Sequence, residues 1–155
     1  MAQTAVAKSA SGERPGLTLT RRFRARPEKV WAAWTDPEKL IAWFCTAKAK
    51  PGSFRADLDV RVGGSYRISF DMADTGEYSE VGGFYREVVS NEKLVFTWAW
   101  HSTPERESLV TVSIKPDGAG SLMIFTHEQF FDETARDNHN KGWNELFAQL
   151  EQVLA

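Results

Sequence analysis

Hydrophobic and polar positions change their period twice along this chain. From Leu17 to Phe23 they alternate, with Leu17, Leu19 and Phe23 on one face, which predicts a strand. Val30, Trp31, Ala33 and Trp34 then recur at helical spacing, as do Leu40, Ile41, Trp43 and Phe44, predicting two short helices. Pro27 and Pro37 suit first helical turns, where a missing N–H costs nothing, and Asp36 suits a cap. Alternation returns in short runs near 54–62, 64–71, 78–89, 93–101, 108–115 and 120–129. Turn residues such as Asp74-Thr75-Gly76, Ser90-Asn91-Glu92 and Asp117-Gly118 separate them, so the runs predict an antiparallel meander. Finally His139, Gly142, Trp143, Leu146, Phe147, Leu150, Val153 and Leu154 mark one face of a helix over 134–154.

These elements predict an α+β fold, a curved antiparallel sheet wrapped around a long C-terminal helix. The Gly63-Gly64 and Gly82-Gly83 pairs fall where strands are expected and predict places where the sheet curls. Residues 1–16 are small, polar and punctuated by Gly and Pro, and read as a flexible tail. Residues 17–155 read as a single domain.

Composition narrows the functional classes. Nineteen Lys and Arg against twenty-one Asp and Glu leave a net charge of −2, which does not favour nucleic acid. Cys45 is the single cysteine, so no disulfide framework or cysteine-built zinc site is expected. No apolar run reaches the roughly 18 residues of a membrane span. The first residues lack the apolar stretch of a secretory signal, so the expected location is cytoplasmic. Six Trp and ten Phe exceed the needs of an average core of this size. They suggest flat, rigid surface around a pocket.

The stripes that could line such a pocket follow from alternation. Leu94, Phe96, Trp98 and Trp100 share a face, as do Tyr66, Ile68 and Phe70, and Met123, Phe125 and His127. If these faces meet the last helix, they meet Trp143, Phe147 and Leu150. His127 and His139 are candidate polar groups, because a neutral imidazole can bond a ligand or move a proton. Tyr85 and Glu87 lie on a central strand, and a buried Glu87 would be a candidate base. Asp59 and Arg61 read as an ion pair steadying the sheet. No carboxylate stands at a ligand spacing from His101, His127 or His139, so no metal is expected. No nucleophile elbow, phosphate loop or dinucleotide fingerprint is present, and neither catalytic residues nor a cofactor are assigned.

Several motifs, taken in order, resemble the SRPBCC (START-like) superfamily. They are residues 17–43 (LTLTRRFRARPEKVWAAWTDPEKLIAW), Asp59-Val60-Arg61-Val62-Gly63-Gly64, Gly83-Phe84-Tyr85-Arg86-Glu87, Leu94-Val95-Phe96-Thr97-Trp98, Thr126-His127, His139 and Gly142-Trp143. Within the superfamily they are most similar to the Hsp90-ATPase-activator-homologue-like (Aha1 C-terminal-like) branch. The resemblance implies a helix-grip (Bet v 1-like) fold with a cavity between sheet and helix.

Three functions follow as expectations. The leading one is binding of a hydrophobic or aromatic small molecule by Tyr66, Phe70, Tyr85, Phe96, Trp98, Trp100, Phe125, His127, His139, Trp143 and Phe147, with Trp43 and Phe44 at the entrance. The second, implied by superfamily members, is a cyclase-, aromatase- or hydrolase-like enzyme using His127 or Glu87 as acid or base. The third is an Hsp90 co-chaperone-like interaction, for which Arg22, Arg24 and Arg26 would present a basic edge. A homodimer through a sheet edge is also compatible with the pattern.

Overall fold

The computed structural model describes residues 3–7, 14–44 and 48–155. Eight strands form one antiparallel sheet: β1 (Gln3–Ala7), β2 (Gly16–Phe23), β3 (Arg55–Leu58), β4 (Ser65–Asp71), β5 (Tyr78–Val89), β6 (Lys93–Trp100), β7 (Ser108–Asp117) and β8 (Gly120–Glu128). Their order is β1-β2-β8-β7-β6-β5-β4-β3, so the meander from β3 to β8 ends beside the early strand β2. Two short helices, α1 (Pro27–Thr35) and α2 (Pro37–Trp43), follow β2, and α3 (Glu133–Val153) closes the chain. The expected helix-grip architecture is therefore present.

Local chemistry explains the boundaries. Asp36 caps α2 by accepting a hydrogen bond from the Glu38 N–H at 3.1 Å, and Pro37 occupies the first turn. Asp132 does the same for α3 through the Ala135 N–H at 2.8 Å. Leu17 and Leu19 of β2 are buried with Met123 and Phe125 of β8 and with Phe147 and Leu150 of α3. This apolar seam fixes which face of the sheet meets the helix.

Three expectations need correction. The tail over 1–16 is not wholly outside the fold, because Gln3–Ala7 pairs with β2 in the register Gln3↔Thr20 to Ala7↔Gly16. The run over 54–62 is strand only to Leu58. Residues 59–64 turn instead, with the Asp59 N–H bonding Ser65 O at 3.0 Å and Gly63 at φ +85°. A side chain at that φ is strained, so the first Gly pair serves a turn rather than a curl. Cys45 lies outside the described residues.

The second Gly pair does mark a bend. Ladder pairing runs from Val81↔Trp100 to Gly82↔Ala99, resumes at Tyr85↔Phe96, and then shifts register before Glu87↔Val95. In the gap, side chains replace backbone partners. Thr97 Oγ1 accepts from the Phe84 N–H at 2.9 Å, and the Tyr66 hydroxyl donates to Thr97 O at 2.6 Å. A Cβ on Gly83 would stand 2.2 Å from Thr97 O, so only glycine allows this approach.

Candidate functional site

A cavity of about 700 Å³ lies where β6, Phe70 of β4 and residues 48–54 face α3. Of the expected binding residues it is lined by Phe70, Trp98, Trp100, His139 and Trp143, with the expected entrance residue Phe44. Tyr66, Tyr85 and Phe96 instead border a small inner void of about 20 Å³, which shares Phe44 and Trp98 with the larger cavity.

The remaining expected residues belong to packed core. Phe125, His127 and Phe147 are fully buried. Their rings are filled in by neighbours, with Phe125–Trp143 centroids 4.6 Å apart and Phe125–Phe147 4.9 Å apart. Trp43 is not at an entrance. It is fully buried, and its indole N–H donates to Ala33 O at 2.9 Å, tying α2 to α1.

His127 is held by a chain of hydrogen bonds. The Trp143 indole N–H donates to His127 Nδ1 at 3.0 Å. That leaves Nε2 to carry the proton and donate to Ser108 Oγ at 2.7 Å, while the Ser108 hydroxyl donates to Trp98 O at 3.2 Å. Both ring nitrogens of His127 and the Ser108 hydroxyl are thereby engaged. Burial, reinforced by the neighbouring His139, holds the His127 pKa well below the usual imidazole range.

His139 is arranged the opposite way round. Its Nδ1–H donates to Ala135 O, one turn back on α3, at 2.7 Å. Its Nε2 accepts from two indoles, Trp100 Nε1 at 3.1 Å and Trp98 Nε1 at 3.3 Å. Burial lowers its pKa too, against the opposing effect of the bond to Ala135. The two rings are 5.2 Å apart in an edge-to-face arrangement.

The carboxylate candidates lie elsewhere. Glu87 is half-exposed and pairs with Lys93 Nζ at 3.1 Å on the strand end, so it is no cavity base. Asp59 and Arg61 form the expected ion pair, the Arg61 Nε–H shared between the two Asp59 oxygens at 2.9 and 3.0 Å, but across an exposed turn rather than along a strand. Of the expected basic edge, Arg22 pairs with Asp117 at the end of β7 and Arg26 with Glu28 two residues on. Among the described residues no group of three His, Cys, Asp or Glu side chains could hold a metal ion. None of the described helices is long and apolar enough to cross a membrane.

Periodicity alone missed part of the lining. Asn138, Lys141, Glu145 and Gln149 recur on α3 beside the stripe that holds Gly142, and Lys48 and Phe54 come from the segment before β3. The three- and four-residue steps of the α3 set were the available signal. Gly142 of the stripe stands out on this wall, since a Cβ there would meet nothing within 4 Å. Glycine inside a helix costs about 1 kcal/mol relative to alanine.

Solved structures share this fold. A Chromobacterium violaceum protein is 27% identical over 90% of this chain and 96% of its own, with a TM-score of 0.76. A Rhodobacter sphaeroides protein is 20% identical over 98% of each chain, with a TM-score of 0.79. CalU16 of Micromonospora echinospora is 20% identical over 100% of this chain and 85% of its own, with a TM-score of 0.71. No curated protein matches the chain. The sequence model described as "Activator of Hsp90 ATPase homolog 1-like protein" matches residues 24–155, and the chain belongs to that family.

Proposed function

We propose that the chain binds and sequesters a small hydrophobic molecule in the cavity between β6 and α3. The observation that carries this reading is the pairing of a cavity of about 700 Å³ with a mid-helix glycine on its wall. That volume lies within the roughly 300–1,000 Å³ of small-molecule sites. A helix under selection for stability alone would place alanine or a larger side chain at 142, where space is open. The rigid walls, Trp98, Trp100 and Trp143, suit apolar and aromatic surface, whose burial yields roughly 25 cal/mol per Å² before ordering costs.

The catalytic alternative has less support. His127 would need a free lone pair to act as base, and Trp143 occupies its unprotonated nitrogen. Glu87 faces Lys93.

Gly142→Leu tests the proposal by filling the hollow from its wall. Wild-type protein is expected to bind 1-anilinonaphthalene-8-sulfonate with micromolar affinity, read by fluorescence titration. Gly142→Leu should weaken this at least about tenfold, equivalent to ~1.4 kcal/mol, without lowering the melting temperature. Trp98→Ala should also weaken it. Equal affinity in Gly142→Leu, or no binding by the wild type, would overturn the proposal.

A further inference from the structure

The wall formed by Trp98, Trp100 and His139 has more donors than acceptors. An imidazole nitrogen without a proton offers one lone pair, in the plane of the ring. Here two indole N–H groups converge on that single lone pair, at 3.1 and 3.3 Å. The other ring nitrogen cannot help, because its proton is committed to Ala135 O. The cluster is thus one acceptor short. Both indoles line the cavity, but Trp98 is almost fully buried and Trp100 only half-buried, so Trp100 is the more open of the two to a molecule inside.

We infer that the cavity takes an apolar or aromatic molecule bearing an acceptor oxygen, a carbonyl or a carboxylate, and that this oxygen docks on the Trp100 indole N–H. Docking relieves the shared lone pair, leaving His139 Nε2 to Trp98 alone. A donor-only group such as an ammonium gains nothing at the Trp100 N–H itself, because the acceptor of this cluster, His139 Nε2, is already claimed twice. The inference rests on the cavity being a binding site and adds the polar class of its occupant.

Four naphthalenes of similar size separate the cases: 2-acetylnaphthalene, 2-naphthoate, 2-ethylnaphthalene and protonated 2-(aminomethyl)naphthalene. Their affinities are read by calorimetry on the full chain. The ketone and the carboxylate should each bind about 5-fold more tightly than the ethyl compound, the scale of one neutral hydrogen bond. Trp100→Phe keeps an aromatic wall, removes the surplus donor, and should bring the affinity ratio of ketone to ethyl compound to about one, whatever the smaller ring does to both affinities alike. Any affinity of the ammonium, which the Glu145 carboxylate on the wall could supply, should be the same in Trp100→Phe relative to the ethyl compound. In the wild type, the ketone should shift the Trp100 indole N–H resonance more than the ethyl compound does, a readout that needs no variant.

Equal binding of all four, or an acceptor advantage that survives Trp100→Phe, would overturn this inference alone. A gain for the carboxylate without one for the ketone would also overturn it, assigning selectivity to Lys48 and Lys141 on the wall instead. Failure of all four to bind would overturn the cavity reading and this inference together.

Discussion

His127 and His139 are the same residue type, almost touching, yet the proton sits on Nε2 in one and Nδ1 in the other. Neighbouring donors decide this. Indole N–H groups point at Nδ1 of His127 and at Nε2 of His139, and a neutral ring must keep its proton on the opposite side. Protonating either ring would set an imidazolium N–H against an indole N–H in a buried site. Both folded-state pKa values are accordingly depressed, while the unfolded chain keeps ordinary values near about 6.5. Below that pH the unfolded state binds more protons than the native state, so stability must fall as pH falls toward the native pKa values. Urea midpoints should therefore drop between pH 8 and pH 5, each histidine contributing a slope of up to about 1.4 kcal/mol per pH unit. His139→Gln, which removes one titrating ring, should flatten the curve by roughly half of the histidine contribution. A profile identical to that of the wild type would contradict this assignment.

At the scale of elements, one substitution should act in opposite directions at two glycines. Gly83 of β5 meets the backbone of β6, where a Cβ would lie 2.2 Å from Thr97 O, an atom held from the other side by the Tyr66 hydroxyl. Gly83→Ala should cost more than about 2 kcal/mol, because a strand must move to admit it. Gly142→Ala on α3 should stabilise by about 0.5–1 kcal/mol, since helix propensity improves and nothing is displaced. Chemical denaturation of both variants measures the two signs. The sequence pattern could show that Gly82-Gly83 interrupts a strand, because glycine weakens strands wherever it stands. It could not show that Asp59-Val60-Arg61-Val62 belongs to a turn, since polar–apolar alternation persists there while Val62 remains 64% exposed. The pocket was legible to the same degree. Alternation identifies which side chains share a face, and so placed Trp98 and Trp100 together. It assigned Phe125 and Phe147 to the lining because core and wall have the same period. A void exists where residues from other elements fail to fill it, and here those residues are Gly142 and the segment from Lys48 to Phe54.

For the whole molecule, a cavity bordered by the sheet and α3 couples occupancy to folding. The walls come from β4, β6, α3 and the segment before β3, so they exist together only in the folded chain. A molecule held there at one hundred times its dissociation constant should add about 2.7 kcal/mol of stability. For a chain of this size that raises the melting temperature by roughly 5–10 °C. Calorimetric scans with increasing 2-ethylnaphthalene test this, and an unchanged transition at saturation would place the compound outside the hollow. The sheet order has a temporal consequence of its own. β2 pairs with β8 in the register Leu17↔His127 to Phe23↔Ser121, so its ladder on that side waits until everything between the two strands has been made. At a ribosomal pace of about 5–20 residues per second, the β2 edge that awaits β8 stays open for roughly 5–20 s on the nascent chain. β1 precedes β2 in the sequence and can cover the opposite edge of β2 during that interval.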